Sequence, residues 1–284
     1  MPSLLDIRRR IRSVKNTQQL TKAMKTVSAA RLRRAQERVV NARPYANQLR
    51  NVLTNLAAKI ENISHPLLDA RPEQRTLLVV VTADRGLCGA FNSNLIRVAQ
   101  NFLRDRTDRN ITLYLIGRKG RDFFRRRQAA ITGDYVNFFT KLDYGHAREI
   151  SQQIIDLYTK AEIDAVYFIY NEFKSVIQQR VVVEKLLPLV REELQDTKSQ
   201  IDYIYEQPPQ EIFNRMLPRY VEIQIYRALL ESVASELGAR MAAMDTATRN
   251  AGDMIDSLTL NMNRIRQAAI TREIIEVVSG AGAT

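Results

Sequence analysis

The sequence predicts an α+β protein built from a long antiparallel coiled coil and an inserted α/β domain. Both ends of the 284-residue chain carry apolar repeats of seven residues, and such repeats wind one helix around another. The middle instead alternates short apolar strands with helical segments, which indicates a Rossmann-like domain with a mainly parallel sheet. We therefore predict an N-terminal coiled-coil helix over residues 1–62, an α/β domain over 76–205 and a C-terminal coiled-coil helix over 209–284.

The first helix is predicted from its periodicity and from the absence of glycine in residues 3–60. Pro44 removes one helical hydrogen bond, so we expect it to kink this helix or to split it in two. The apolar or small positions advance in steps of three and four residues: Leu32, Ala35, Val39, Ala42, Ala46, Leu49, Leu53, Leu56 and Ile60.

The middle segment is predicted to alternate strands and helices. Its first strand is apolar without interruption, as in a strand buried on both faces of a sheet. No helix separates its last two long strands, so we expect an antiparallel edge. Val136 is placed in a further strand and residues 203–205 in a final one. The predicted strands are 76–82, 111–116, 164–170 and 176–187, and the predicted helices are 91–103, 118–127 and 147–160.

The second long helix is predicted to begin at Pro209, because proline suits the first helical turn. A helical pattern then runs to about Val278, and Gly280 falls where a C-terminal cap is expected. A repeat sustained over more than four heptads indicates a coiled coil rather than an ordinary amphipathic helix. Its positions are Leu237, Met241, Met244, Thr248, Ala251, Ile255, Leu258, Met262, Ile265 and Ala269.

Composition indicates a folded, cytosolic protein. The apolar fraction of 45% and charged fraction of 26% support a core rather than disorder. The apolar runs are too short to span a bilayer, and the first residues lack the apolar segment of a signal peptide. The single cysteine, Cys88, excludes an internal disulfide and fits a reducing compartment.

The first fifty residues are strongly basic. They hold thirteen Lys or Arg against only Asp6 and Glu37, a net +11 of the chain's total of +12. Such a helix requires an anionic partner, which could be nucleic acid, an anionic membrane surface or acidic protein loops. Tyr45 is the only aromatic residue there, which disfavours base stacking. Duplex binding through phosphates needs no aromatic residue, so a nucleic-acid-binding coiled coil remains an alternative.

No catalytic, cofactor-binding or metal site is predicted. The turn at residues 82–89 lies where an α/β domain binds phosphate, but it matches neither the dinucleotide nor the P-loop glycine pattern. We expect Gly86 and Gly89 to serve the turn's backbone and Cys88 to be a structural thiol, because His65 and His146 lie in no recognisable catalytic context. An enzyme that binds phosphorylated substrates at this turn remains a second alternative.

Five stretches, ordered along the whole chain, carry a resemblance to a known family, and the last is the most specific. They are residues 11–25, 29–36, 84–89 with Asn92, 239–244, and 266–273 with Glu276, Gly280 and Ala281. These stretches closely resemble the gamma subunits of the F-type ATP synthases. Met262 departs from the family, which usually has an aromatic residue there, and so does Gly238. The cysteine-bearing insertion of chloroplast relatives is absent, which favours a bacterial origin.

The resemblance implies the rotor shaft of a proton-translocating ATP synthase. The family's coiled coil stands inside a hexamer of alpha and beta subunits, and its α/β domain sits with the epsilon subunit on the c-ring. The implied subunit is non-catalytic, binds no cofactor and no nucleic acid, and meets the membrane only through partner subunits. It is therefore expected at the cytoplasmic face of the bacterial plasma membrane.

The resemblance also implies contact residues. Two groups are expected at a beta subunit: Lys22, Met24 and Lys25 facing its acidic lever segment, and Arg266, Gln267, Thr271 and Glu273 at a loop near the top of the shaft. Tyr205 and Glu206 are expected near the c-ring, on the epsilon side.

Overall fold

Two long helices from the ends of the chain pack side by side in the computed structural model, which describes residues 4–60, 65–175, 178–189 and 206–281. Helix α1 spans Leu4–Lys59 and helix α5 spans Pro209–Ala281. They are antiparallel, because α1 residues of rising number meet α5 residues of falling number: Gln18 contacts Thr248, Lys25 contacts Asp245 and Arg38 contacts Tyr226. We call this pair the shaft.

The seam of the shaft follows the predicted repeat. In α1 the buried positions Leu32, Ala35, Val39, Leu49, Leu53 and Leu56 all belong to it. The residues facing them include Leu229, Leu230, Ala234 and Leu237 of α5, and both sets belong to one hydrophobic core. Toward the N-terminus of α1 and the C-terminus of α5, the seam carries smaller or polar residues.

The middle of the chain forms a five-stranded sheet with helices on both sides, which we call the head. The strands are β1 (Arg75–Val81), β2 (Asn110–Ile116), β3 (Ile131–Tyr135), β4 (Ala165–Phe173) and β5 (Gln179–Leu187). The helices are α2 (Phe91–Arg104), α3 (Arg118–Arg125) and α4 (Tyr144–Thr159), and short 3₁₀ turns lie at Pro66–Leu68 and Phe139–Lys141.

The sheet order is β3-β2-β1-β4-β5, with β1 at its centre. Strands β1 to β4 pair in parallel, and β5 pairs antiparallel with β4. The predicted mainly parallel sheet with an antiparallel edge is therefore confirmed. The reversal of strand order between β2 and β4 puts a topological switch point beside β1, and this is where doubly wound folds place their functional crevice.

The sheet buries both faces, as the uninterrupted apolar run in β1 predicts. Leu77, Val79 and Val81 face the core shared with α4 and the shaft. Leu78 and Val80 face a second core made with α2 and α3. The shaft and α4 therefore cover one side of the sheet together, and head and shaft share one hydrophobic core.

The structure differs from, or does not describe, several local features predicted from the sequence. Pro44 lies inside α1, which continues on both sides of it without a break. Val136 follows β3 rather than lying in it. The expected cap at Gly280 is wrong, because α5 continues to Ala281. The strand expected at 203–205 lies outside the described residues. Across the described residues no helix is long and apolar enough to cross a membrane.

Candidate functional site

A polar layer interrupts the apolar seam of the shaft about a third of the way along α1. The Oγ1 atoms of Thr21 and Thr248 lie 2.8 Å apart, and Gln18 Nε2 donates to the Thr248 carbonyl oxygen at 3.4 Å. One turn on, Lys25 Nζ lies 2.5 Å from Asp245 Oδ1. Polar groups at such positions can be satisfied in only one alignment, so they specify the register of the two helices at some loss of stability. This layer keeps the slender part of the shaft aligned.

The outer surface of α1 carries the positive charge. Twelve of the thirteen Lys and Arg side chains among residues 8–50 are exposed, and the thirteenth, Lys25, is half-buried in its pair with Asp245. Arg33 pairs with Glu37 on the surface, and Arg38 donates to the Leu142 carbonyl oxygen and so ties α1 to the head. Most of this positive charge is therefore exposed and can meet an anionic surface.

The residues expected to contact a beta subunit lie in two groups on the shaft. Lys22 is exposed and Met24 is half-buried, close to the polar layer. Lys25 already has a partner in Asp245, so its charge is partly used within the shaft. Asp245 accepts that contact, and Lys25 lowers the pKa of its carboxyl.

The second group lies near the end of α5. Its members Arg266, Gln267, Thr271 and Glu273 are all exposed. They alternate with apolar residues that are equally exposed, Ile270, Ile274, Ile275, Val277 and Val278. Gln18 of α1 lies opposite Gly252 of α5. Because the helices are antiparallel, Leu4 then lies opposite about residue 266. The last turns of α5 therefore extend past the described part of α1. Glu206 is exposed at the other end of α5, and Tyr205 lies outside the described residues.

The turn after β1 is held by its own side chains. Asp84 Oδ1 accepts from the backbone N–H groups of Arg118 at 3.1 Å and Asn137 at 3.0 Å. Asn92 Oδ1 accepts from the Ala83 N–H at 2.9 Å. The Asp84 carboxylate thus accepts from the first N–H of α3, and its negative charge within the turn would repel a phosphate there.

Cys88 is a structural thiol, as the sequence indicates. It is buried in the turn, and burial with the nearby Glu236 carboxylate raises the pKa of the thiol to about 11. A thiolate is the reactive form of cysteine, so this environment keeps Cys88 unreactive. Within the described ranges no group of three or more His, Cys, Asp and Glu side chains could hold a metal ion.

A buried ion pair connects this turn to the shaft. The Arg240 guanidinium lies against the Glu236 carboxylate one turn earlier in α5, and it donates to the Gly86 carbonyl oxygen at 3.2 Å. Glu236 is 5% exposed, and its Oε1 has no aligned hydrogen-bond donor, so the pair is a charge contact. Burial raises the pKa of Glu236 to about 7, although Arg240 lowers it.

A second, half-buried set of polar contacts joins α5 to the edge of the sheet. Arg227 Nη2 donates to Glu184 of β5 at 3.3 Å, and Tyr170 of β4 donates to the same carboxylate at 2.9 Å. Ser235 Oγ donates to the Asn171 carbonyl oxygen at 3.2 Å. Neither set of charges is predicted from the sequence. The four-residue spacing of Glu236 and Arg240 within an apolar stretch was the signal that could have revealed the first pair.

Comparison with known proteins identifies the family. The sequence model described as ATP synthase matches residues 3–284. The ATP synthase gamma chain of Solibacter usitatus is 56% identical over all of this chain and 99% of that protein. The ATP synthase gamma chain of Pelotomaculum thermopropionicum is 50% identical, again over 100% of this chain and 99% of that protein.

Solved structures agree with the sequence comparison. A chain from the central stalk and c-ring of the Tetrahymena thermophila mitochondrial ATP synthase is 28% identical, with a TM-score of 0.62 over 80% of this chain and 99% of that one. A chain of the Euglena gracilis mitochondrial ATP synthase shares the fold at 17% identity, with a TM-score of 0.69 over 99% of this chain and 94% of that one. The chain belongs to the ATP synthase gamma chain family.

Proposed function

We propose that this chain is the central shaft of a proton-translocating F-type ATP synthase, and that it couples rotation of the c-ring to conformational cycling of the catalytic beta subunits. The observation that carries this proposal is the antiparallel shaft that shares one core with the head. A helix of 73 residues is roughly 110 Å long at 1.5 Å per residue, and a rod so anchored can transmit torque from the head to its far end.

The proposed role is non-catalytic. Asp84 in the turn, Asn92 at the start of α2 and Arg240 of α5 hold the backbone of the turn and its contact with the shaft. Such a subunit acts by contacting successive conformations of its neighbours unequally, and this differential contact is what can shift their populations. The division into helix 1–62, domain 76–205 and helix 209–284 belongs to this proposal, with the coil as the shaft and the α/β domain as its base.

The proposed partners are the alpha and beta subunits around the shaft, and epsilon and the c-ring at the head. The exposed basic face of α1 supports acidic loops as one contact, because opposite charges steer and orient association. We propose Lys22, Met24 and Lys25 as contacts of the beta lever. The exposed apolar and polar residues at the end of α5 support a second contact within the hexamer, through Arg266, Gln267, Thr271 and Glu273.

The base of the shaft is proposed to face the c-ring through Tyr205 and Glu206. This would keep the chain peripheral, at the cytoplasmic face of a bacterial plasma membrane, and attached through its partners.

A disulfide across the seam tests the rigid-shaft proposal. Thr21→Cys with Thr248→Cys should join within one chain when oxidised, because the two side-chain oxygens lie 2.8 Å apart. Thr21→Cys with Ile255→Cys, displaced by one heptad, should not. The first disulfide should leave ATP hydrolysis by the assembled enzyme unchanged, because both helices turn together. Failure to form, or loss of hydrolysis by the joined enzyme, would argue against a single rotating body.

Met24→Lys tests the contact with the beta lever. The added charge is expected to form a wrong ion pair with the acidic lever, so proton-driven synthesis by reconstituted enzyme should fall while assembly survives. Gln19→Lys is the matched control, because it adds the same charge at an exposed position on another side of α1. Normal synthesis by the Met24→Lys enzyme would contradict the proposed contact.

Arg266→Ala tests the contact at the end of α5. Because Arg266 is exposed, its loss should slow turnover of the assembled enzyme and leave the melting temperature of the chain unchanged. Arg264→Ala, equally exposed two residues earlier, should slow turnover much less. A large drop in melting temperature would instead make Arg266 a packing residue.

A further inference from the structure

We propose that a cavity between the shaft and the start of α4 binds a small aromatic carboxylate. The cavity has a volume of about 330 Å³ and is formed by α1, the first turn of α4 and the part of α5 from Arg219 to Arg227. It lies away from the residues proposed to contact the beta subunit, and its lining is not used in the argument for the rotary function. The proposal is therefore independent of the rotary function.

Aromatic rings form the walls of the cavity. Tyr144 and Tyr226 pack edge to face, with ring centroids 5.6 Å apart and planes at 84°, and Tyr45 lies in the cavity wall with 57% of its surface exposed. The Tyr144 hydroxyl donates to Glu222 at 2.5 Å, and the Tyr226 hydroxyl accepts from Arg38 at 3.5 Å. The Tyr144 hydroxyl hydrogen is used by Glu222, so the cavity wall offers a ligand mainly the carbon surface of these rings, beside the Tyr226 hydroxyl, and aromatic groups pack well against such surface.

Positive charge enters the same cavity from α5. Arg219 and Arg227 both line it. Arg227 is held by Glu184 at 3.3 Å, and its buried Nε has no hydrogen-bond partner. Arg219 is exposed, and among the residues that the structure describes it forms no salt bridge. The nearest acidic group on the same helix, Glu222, has its carboxylate engaged by Tyr144.

Size and charge together define the ligand class. A volume near 330 Å³ is at the lower end of the range for small-molecule sites, which combine mostly apolar walls with a few placed polar groups. The exposed Arg219 guanidinium favours a planar anion, because arginine donates in pairs to carboxylate oxygens, and the Arg227 Nε–H, which has no partner, adds one more donor. The tyrosine rings and the methyl groups of Ala42 and Ala46 favour an aromatic body. A ligand with both features is an aromatic carboxylate of one or two rings.

Binding of 2-naphthoate to the purified full-length chain tests the proposal. Ligand fluorescence should show saturable binding of one equivalent, and the neutral analogue 2-naphthalenemethanol should bind about tenfold more weakly or worse, because a charge-assisted hydrogen bond is lost. Arg219→Gln should weaken naphthoate binding by a similar factor. Arg215→Gln, which removes an exposed arginine one turn earlier on α5 and outside the cavity, should leave binding unchanged.

The aromatic part of the site is tested separately. Tyr45→Ala should weaken binding, whereas Tyr45→Phe should retain it, because the ring remains. Thermal melts of each variant establish that the chain is folded. Equal affinity for the acid and the alcohol, unaltered binding by Arg219→Gln, or no saturable binding by the folded chain would each overturn the proposal.

Discussion

Glu236→Gln should change how the stability of this protein depends on pH. Glu236 lies at the junction of shaft and head, almost fully buried, with charged or titratable neighbours from three elements. These are Arg240 on its own helix, Arg31 on α1, and Asp84 and Cys88 in the turn after β1. Burial disfavours the carboxylate more than the two arginines favour it, so the pKa of Glu236 is raised to about 7.

The magnitude follows from the difference between the folded and unfolded states. Against an ordinary pKa of 4.5, a folded-state pKa of about 7 means that ionising Glu236 costs the folded protein about 3 kcal/mol. The folded state holds this proton more tightly than the unfolded chain does. Its contribution to stability is therefore fully present below pH 4.5 and is lost as the pH rises through about 7. Glutamine keeps the shape of the side chain and cannot ionise.

Urea unfolding at pH 5, 6, 7 and 8 measures this effect. The free energy of unfolding of the natural chain should fall relative to that of Glu236→Gln by about 2.5 kcal/mol as the pH rises from 5 to 8. Glu211→Gln, an exposed position in the first turn of α5, is the control and should follow the natural chain. Parallel curves for the natural chain and Glu236→Gln would show that Glu236 stays ionised across this range and would refute the reasoning.

Two further substitutions test the shaft seam and the turn. Leu53→Ala removes a side chain that is 0% exposed and should cost about 3–5 kcal/mol in urea unfolding, whereas Val40→Ala at a 58% exposed position should change it by about 0.5 kcal/mol at most. Gly117→Ala should cost about 3 kcal/mol or more, because Gly117 has φ +94° and a Cβ there would lie 1.9 Å from the Thr82 carbonyl oxygen. Gly86→Ala, whose Cβ would meet only Lys119 at 3.7 Å, should be nearly neutral in the same assay. A neutral Leu53→Ala or Gly117→Ala variant would mean that the packing described at that site is wrong.

The periodic parts of this fold could be predicted from sequence because their signal repeats. Leu237, Met244 and Ala251 keep the seven-residue spacing, and all three are buried. The run from Leu77 to Val81 is apolar throughout, and the structure buries it on both faces of the sheet. In each case many residues follow the same periodic pattern, so one residue that departs from it does not change the predicted helix or strand.

The parts that could not be predicted depend on contacts distant in the sequence. The pair of Arg38 with the Leu142 carbonyl oxygen joins residues 104 positions apart, and the contact of Arg240 with Gly86 joins residues 154 positions apart. Glutamate is a residue type usually found at the surface. Glu236 is buried only because the turn after β1 folds over it. At Gly280, a local signal for ending the helix is outweighed, and α5 continues through it.

The two helices of the shaft lie far apart in the sequence, and this has a consequence for biosynthesis. Gln18 and the residue it bonds, Thr248, are 230 positions apart, whereas all five strands of the sheet lie within one continuous stretch. At a translation rate of roughly 5–20 residues per second, α1 is synthesised on the order of tens of seconds before α5 emerges from the ribosome. During that interval the apolar side chains Leu32, Val39 and Leu53 are exposed to solvent. We therefore expect the nascent chain to bind a chaperone that covers the apolar face of α1.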